Sequence, residues 1–206
     1  MTRLARYMAI AATAAASALA PPALANEITF ETAPLGGGFT GPVTEDGFTY
    51  STLSGGLFVN DFGNPGRDME GQESVGGGVL KIARAGGGNF TFDDVDFSAF
   101  DTSGTGTQTL KVEGFLGASA VATDQYTLAD TSSAPFTNWT TEATSALAGK
   151  TFSELDIALN AGESPTVFRE NIDNVVLAPI PEPTSLALLA AGILALGWFR
   201  RRWKQA

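Results

Sequence analysis

The amino-acid sequence predicts an all-β fold, a two-sheet β-sandwich for which a jelly roll is the favoured topology. Between Asn26 and Ala178 no long stretch has the 3.6-residue spacing of apolar residues that marks a helix. Short runs rich in β-branched and aromatic residues recur instead, and glycine triplets at 36–38, 76–78 and 86–88 separate some of them. Short strands with turn signals between them are typical of a sandwich.

The predicted strands follow one another along this middle part of the chain. Within two of them, residues 110–114 and 155–159 alternate apolar and polar side chains, as a strand does when one face lies in the core. The others are runs of aromatic and aliphatic residues between turn signals. The predicted strands are residues 28–32, 48–53, 57–60, 79–84, 90–97, 107–116, 120–128, 152–159 and 172–177.

Composition excludes several kinds of active site. The chain has 206 residues and contains neither histidine nor cysteine. It therefore has no imidazole base, no cysteine nucleophile, no Ser-His-Asp triad and no His/Cys zinc site. Disulfide bonds are excluded as well, so the fold must be held by its core or by a metal ion.

The charge of the middle part limits its partners. Residues 26–180 contain six Lys or Arg against twenty-one Asp or Glu, a net charge of −15. A body this acidic repels phosphate backbones and anionic membrane surfaces. Nucleic acid is therefore excluded, whereas cations and neutral polymers fit the charge.

Residues 1–25 have the features of a secretory signal peptide. Arg3 and Arg6 precede an apolar run at 8–20, and a small-x-small site ends at Ala25. An uncleaved anchor is the alternative, but the run is short and weakly apolar for a span of roughly 20 residues. We therefore expect cleavage after Ala25 and an exported mature chain that starts at Asn26.

Residues 179–206 form a separate C-terminal segment. It contains the tripeptide Pro181, Glu182 and Pro183, then an apolar stretch at 186–199, then Arg200, Arg201 and Arg202. As a helix this apolar stretch covers about 21 Å, less than a hydrocarbon core of about 30 Å. It is a marginal transmembrane helix, and its basic end is expected to stay cytoplasmic with the acidic body outside.

This C-terminal segment resembles the PEP-CTERM sorting signal of Gram-negative bacteria that make extracellular polysaccharide. The resemblance covers residues 179–206 and includes motif order, spacing and terminal position. It implies recognition by exosortase, a membrane transpeptidase similar to cysteine proteases, at Pro181, Glu182 and Pro183, with Arg200, Arg201 and Arg202 as the stop-transfer end. It also implies an inner-membrane precursor with a periplasmic ectodomain, later released to the cell surface or matrix. The alternative is a plain single-span tail anchor.

The middle part, residues 26–178, resembles more loosely the β-sandwich ectodomains of PEP-CTERM proteins. The matching motifs are Phe-Glu at 30–31, Thr-Phe-Asp-Asp-Val-Asp-Phe at 91–97, Val-Glu-Gly-Phe at 112–115 and Ile-Asp-Asn-Val at 172–175. This resemblance implies a lectin-like or carbohydrate-binding-like sandwich.

Two acidic residues are the candidate metal ligands. If the first and last strands pair, Glu31 and Asp173 approach each other, and two buried carboxylates need a cation or a proton. Jelly-roll carbohydrate modules, which the body resembles, commonly hold a structural calcium ion with acids from these strands. That implies calcium bound by Glu31, Asp173 and a backbone carbonyl. Alternatively, Glu31 is solvated and Asp173 bonds the local backbone at a turn. No other cofactor is predicted.

The densest acidic cluster lies in and just after the predicted strand at 90–97. Asp93, Asp94, Asp96 and Asp101 lack the spacing of an EF-hand loop. We interpret them as solvated charges on a strand edge, where they discourage edge pairing.

Aromatic residues are the candidate ligand-binding groups. Phe136 and Trp139 flank Asn138 in a loop rich in Pro, Thr and Ser, and flat side chains of this kind can stack on sugar rings. Core packing is the alternative role for them. Residues 60–78 are predicted as a long loop and as a second candidate binding region.

These observations favour an exported, non-catalytic protein that binds extracellular polysaccharide or builds matrix beside it. Two alternatives remain open. One is a structural surface protein with no specific ligand, and the other is a hydrolase that acts on glycans through paired carboxylates.

Overall fold

Thirteen strands, and no helix, are present in the computed structural model, which describes residues 24–72, 77–101, 107–129, 138–159 and 168–180. The all-β prediction is confirmed. Within these residues no helix is long and apolar enough to cross a membrane. The strands are β1 (Asn26–Ile28), β2 (Gly38–Phe39), β3 (Val43–Glu45), β4 (Phe48–Gly55), β5 (Leu57–Gly63), β6 (Gly66–Gln72), β7 (Gly78–Arg84), β8 (Phe90–Asp101), β9 (Thr107–Leu116), β10 (Ser119–Ala129), β11 (Thr140–Ala143), β12 (Glu154–Leu159) and β13 (Phe168–Pro179).

The strands form two antiparallel sheets. Sheet A has the order β11-β8-β13-β6-β5-β2, with β1 also paired to β13, and sheet B has the order β10-β9-β12-β7-β4-β3. The expected pairing of the first and last strands is present, with Asn26 opposite Leu177 and Ile28 opposite Val175. Because consecutive strands change sheet repeatedly, each sheet brings together segments that are distant in the sequence.

The first strand is shorter than predicted. It ends at Ile28, and the chain then turns, with Phe30 at a φ of 58° and the N–H of Ala33 donating to the Phe30 carbonyl at 3.0 Å. A strand cannot continue through a positive φ. Phe30 is still fully buried in the core, which explains why its apolar side chain suggested a strand.

Residues 60–78 were wrongly predicted to be a long loop. Most of this region belongs to the β5–β6 hairpin, in which Gly63 lies opposite Gly66. The prediction missed β6 because Asp68 and Glu70 are polar and have the composition of a surface loop. In the structure both side chains are buried. The strands β2, β3 and β11 were also missed, since two to four residues are too few for a pattern.

Alternate side chains from both sheets form one apolar core. Phe90 contacts both Phe48 and Phe152 edge to face, with ring centroids 5.3 and 6.3 Å apart. Gly114 in β9 lies directly under the Phe152 ring, and a Cβ there would overlap it. The absence of a side chain at Gly114 therefore makes room for the aromatic cluster.

A buried carboxylate ties the segment after β1 to sheet B. Glu45 in β3 accepts hydrogen bonds from the backbone N–H and hydroxyl of Thr29, at 2.8 and 2.7 Å, and from the hydroxyls of Thr32 and Tyr50, at 2.8 and 3.2 Å. Burial acts to raise the pKa of Glu45, but these donors outweigh it and lower the pKa. In the sequence Glu31 lies between Thr29 and Thr32, so the hydrogen bonds of these threonines to Glu45 also fix the backbone at Glu31.

Gly114→Ala is expected to lower the free energy of unfolding by about 1–3 kcal/mol, because the new methyl group would overlap Phe152. Gly38→Ala is the matched control, since a Cβ there meets nothing within 4 Å. Its effect should stay within about 0.5 kcal/mol. Urea unfolding compares the two variants, and equal effects would contradict the close packing of Phe152 on β9.

Candidate functional site

The outer side of sheet A has an unusual row of buried polar residues. Ile172 lies opposite Met69 on one neighbouring strand and opposite Phe97 on the other, and all three point into the core. Because side chains alternate along a strand, the residues that flank these three face the outer side. We call this group the polar face: Asp68, Glu70, Asp96, Ser98, Asn171 and Asp173. Each is at most 6% exposed.

Hydrogen bonds satisfy the carboxylates on the β6 side of the polar face. Asp68 accepts the N–H of Phe62 at 2.9 Å and the side-chain amide of Asn171. Glu70 accepts the amide of Asn60 at 2.7 Å and lies 3.5 Å from the guanidinium of Arg169. A buried carboxylate is tolerated when donors surround it in this way.

The β8 side of the polar face is bonded to the strand beside it. Asp96 accepts the hydroxyl of Thr141 at 2.6 Å and the amide of Asn174 at 2.8 Å, and Ser98 donates to the side-chain oxygen of Asn138 at 2.6 Å. β8 is paired on both sides, with β11 and β13. The interpretation of its acids as solvated edge charges is therefore wrong for Asp96.

Among the described residues at or next to the polar face, two buried polar atoms have no hydrogen-bond partner. One is the side-chain oxygen of Asn171, at the centre of the polar face, and the other is the indole Nε1 of Trp139. Asn171 is completely buried, and its opposite residue on β8 is Ser98. An unpaired acceptor and an unpaired donor in buried positions are costly unless a ligand or water bonds them.

Aromatic side chains lie at both margins of the polar face. Trp139 immediately precedes β11, in which Thr140 is opposite Phe97, and it is partly exposed. At the other margin Phe58 is opposite Glu70, and Phe62 is 40% exposed. The centre of the face is thus buried and polar, and its borders offer flat apolar surface.

Glu31 and Asp173, the predicted metal ligands, lie around one turn. On β13 the pairing with β6 ends at Ile172 and the pairing with β1 begins at Val175. At this junction Asp173 accepts the N–H of Asn64 at 2.7 Å, and Glu31 accepts the N–H of Arg67 at 2.8 Å. Both carboxylates therefore bond the backbone of the β5–β6 turn.

Further contacts fix the turn at this junction. Asn174, with a φ of 48°, donates its side-chain amide to the carbonyl of Asn64 at 2.7 Å. Arg67 donates through Nη1 to the carbonyls of Glu31 and Ala33, at 2.7 and 2.5 Å. The side chain of Glu31 is 51% exposed and that of Asp173 is completely buried. Glu31 thus keeps access to solvent.

Burial and neighbouring negative charge perturb two carboxyl groups of the polar face. Burial raises the pKa of Asp173 to about 7, against the backbone N–H groups of Asn64 and Asn174, and the charges of Asp68 and Asp96 add to the increase. Burial likewise raises the pKa of Asp68 to about 6, with a contribution from Glu70. A cation beside either group would favour its ionised form.

The calcium prediction is not tested by this geometry. No group of three or more His, Cys, Asp or Glu side chains arranged to hold a metal ion is found within the described ranges. Calcium bound by Glu31, Asp173 and a carbonyl stays a prediction. Phe136 lies outside the described residues, as do Pro181, Glu182, Pro183, Arg200, Arg201 and Arg202.

Sequence patterns predicted only part of the polar face. Asp173 was a candidate ligand, and Asp68 and Glu70 belonged to the candidate binding region at 60–78, but Ser98 and Asn171 were missed. The one available signal was positional, since Met69 and Ile172 are apolar residues with polar neighbours on both sides. That pattern predicts alternation but cannot show that the polar side is also buried.

A sequence comparison identifies the C-terminal segment. Residues 179–202 match the family described as the PEP-CTERM protein-sorting motif. The chain has a PEP-CTERM sorting motif. This motif implies an exported protein that is membrane-anchored before processing by an exosortase. No curated protein matches the chain.

Several solved structures are distantly similar to the chain. A family 29 carbohydrate-binding module shares 13% identity with a TM-score of 0.41, covering 76% of this chain and 91% of that one. An arabinose-bound GH51 α-L-arabinofuranosidase shares 12% identity with a TM-score of 0.43, covering 74% of this chain and 26% of that one. A family 11 carbohydrate-binding module of a Clostridium thermocellum cellulosomal cellulase shares 12% identity with a TM-score of 0.34, covering 76% and 95%. These similarities do not identify a ligand for this chain.

The melting temperature is expected to fall as the pH rises from about 5 to about 8 in the presence of a chelator. A carboxyl group whose pKa is higher in the folded than in the unfolded protein contributes stability to the fold. This contribution is complete below the pKa of the unfolded state and is lost as the pH rises past the pKa of the folded state. Asp68 and Asp173, at about 6 and about 7, place that loss in this range.

Asp173→Asn cannot titrate and should reduce this pH dependence. Its melting temperature is also expected to be lower throughout, because an amide has one acceptor oxygen where the carboxyl group has two. The slope against pH is therefore the quantity compared, with Asp93→Asn at an exposed position of β8 as the control. The same slope in all three proteins would contradict the role of Asp173.

Proposed function

We propose that this protein is exported to the cell surface or matrix and that its β-sandwich binds a neutral polysaccharide without cleaving it. The supporting observation is the exposed aromatic surface of Trp139 and Phe62 at the two margins of the polar face. A sugar ring can pack on either of these side chains. The net charge of −15 over residues 26–180 disfavours acidic polysaccharides.

The environment of the carboxylates favours binding over hydrolysis. Glycoside hydrolysis requires one carboxyl group that reaches the glycosidic oxygen and a second that reaches the opposite side of the sugar ring. Asp68, Asp96 and Asp173 are instead buried and bonded to backbone and amide donors. Their lone pairs hold the sheet and the β5–β6 turn in place.

Co-sedimentation with the producer's own extracellular polysaccharide tests this proposal, using a chain that comprises Leu24–Ile180. Saturable binding is expected, and Trp139→Ala should weaken it at least about tenfold, as expected when a contact of 1.4 kcal/mol or more is lost. Phe115→Ala is the matched control, since Phe115 is a partly exposed aromatic residue on the outer side of sheet B.

The outcomes separate the alternatives. Absence of saturable binding would favour a structural surface protein with no specific ligand. Equal losses in both variants would mean that Trp139 has no special role. Release of reducing sugar that stops in Asp173→Asn would favour a hydrolase.

We also propose a structural calcium ion beside the β5–β6 turn, bound by Glu31, Asp173 and a backbone carbonyl. Its support is the raised pKa of Asp173, because a cation beside a buried carboxylate removes the cost of ionising it. Calcium should raise the melting temperature at about pH 8 and a chelator should reverse the effect. An unchanged melting temperature in the parent chain would refute the proposal.

The sorting segment is proposed to act once and then be removed. After signal-peptide cleavage at Ala25, the apolar stretch at 186–199 would hold the precursor in the inner membrane while exosortase recognises Pro181, Glu182 and Pro183. The family match at 179–202 supports this sequence of events.

The intact mass of protein extracted from the cell surface tests the sorting proposal. We expect a chain that starts at Asn26 and lacks Arg200–Ala206. A mass that includes Arg200, Arg201 and Arg202 would contradict removal of the segment, and would favour the plain tail anchor.

A further inference from the structure

Ile180, the last residue before the tripeptide Pro181, Glu182 and Pro183, is hydrogen-bonded into the β-sandwich. β13 ends at Pro179, and the N–H of Ile180 donates to the carbonyl of Asn89 at 2.9 Å. The guanidinium of Arg84, at the end of β7, donates to the carbonyl of Ile180 at 3.3 Å and to that of Asn89 at 3.5 Å. Both backbone polar groups of Ile180 are therefore bonded, and we call Arg84, Asn89 and Ile180 the exit contact.

The exit contact leaves no spacer before the motif. Pro181 directly follows Ile180, so the tripeptide Pro181, Glu182 and Pro183 begins at the next residue. A fully extended chain spans at most about 3.6 Å per residue, so the end of the tripeptide lies within about 11 Å of Ile180. An enzyme that binds the motif must therefore work close to the surface of the folded body.

Enzymes that act on peptide segments commonly bind them as extended chain, through backbone hydrogen bonds on either side of the reacting bond. On the N-terminal side of this motif those backbone positions are occupied. Ala178 is paired opposite Thr91 and Pro179 opposite Phe90, and Ile180 is held by the exit contact. This part of the chain becomes available to an enzyme only when it leaves the sheet.

The amount of chain that can be released is limited by the core. Ala178, Pro179 and Ile180 are partly exposed, whereas Leu177 is completely buried. Releasing these three residues therefore exposes little apolar surface, and releasing a fourth would open the core. Strand ends of this kind open at lower free energy than core strands.

We propose that the exit contact limits the rate of sorting, because exosortase acts on the motif only after residues 178–180 leave the edge of β8. This inference rests on the proposed removal of the C-terminal segment. Arg84 is then a positioning residue on the substrate: it holds the chain before the motif and touches no reacting atom. The rate of processing depends on the fraction of molecules in which this end is open.

Pulse–chase labelling of the full chain in the producing bacterium tests the proposal, with loss of the C-terminal segment as the readout. The first variant inserts Gly-Ser-Gly between Ile180 and Pro181, which supplies the length that release of residues 178–180 would supply. The second is Arg84→Ala, which removes the side chain from the exit contact. The controls are the same insertion between Gly36 and Gly37, in an exposed loop, and Lys111→Ala, which removes a positive charge from β9.

Arg84→Ala should be processed at least about fivefold faster than the parent, as expected for loss of about one hydrogen bond. The insertion should be processed at least as fast as Arg84→Ala, because it makes the opening of residues 178–180 unnecessary. Neither control should differ from the parent in its rate of processing. A chain that carries both Arg84→Ala and the insertion after Ile180 should be processed little faster than a chain with the insertion alone. The insertion leaves Arg84 in place, so it remains informative even where Arg84→Ala impairs folding.

Two results would overturn the inference, and they are distinguishable. If the parent is processed and the insertion changes the rate less than about twofold, the exit contact does not limit sorting, whereas the proposed function stands. If no variant is processed, the parent included, the sorting proposal and this inference fail together.

Discussion

Sheet A depends on the pairing of one strand, β13, with three others. β8 runs along one side of β13, while β6 and β1 share the other side and meet at Asp173 and Asn174. At that meeting point carboxylate and amide side chains bond the β5–β6 turn. The N-terminal strand, the hairpin and the C-terminal strand are therefore held together at a single place, although more than a hundred residues separate the first from the last.

The polar face shows how an acidic chain without histidine or disulfides can bury charge. A carboxylate inside a sheet is stable only when its donors are fixed by the fold. Here the donors are backbone N–H groups, amides and hydroxyls on β5, β11, β13 and the β5–β6 turn. Glu45 repeats the arrangement between the two sheets, with donors that lower its pKa. Burial raises the pKa of Asp173 against its two backbone donors, and the charges of Asp68 and Asp96 add to the increase. The balance between burial and donors thus differs from one buried carboxylate to the next.

The sequence was sufficient to predict an element of the fold where a local pattern of residues corresponds to a local structure. Alternation in 110–114 and 155–159 located two sandwich strands, and acids near the two ends of the body indicated that Glu31 and Asp173 share a neighbourhood. It was insufficient for β6, since Asp68 and Glu70 have the composition of a surface loop. Their burial depends on the register that places Met69 beside Ile172, a long-range property that no local pattern encodes. Trp139 was selected because it is an aromatic residue in a loop rich in Pro, Thr and Ser, but its place beside the polar face depends on β11, a strand of four residues.

The path of β13 also determines how the anchored precursor bears mechanical load. Its hydrogen-bond pairs with β8 extend from Phe168 opposite Asp101 to Pro179 opposite Phe90, and the chain leaves from the end of that row. Tension applied through the C-terminal segment therefore reaches the hydrogen bonds between β13 and β8 first. Asn171 and Asp173 lie on the same strand, so a polymer held at the polar face and a membrane attachment beyond Ile180 would pull on one continuous β-strand.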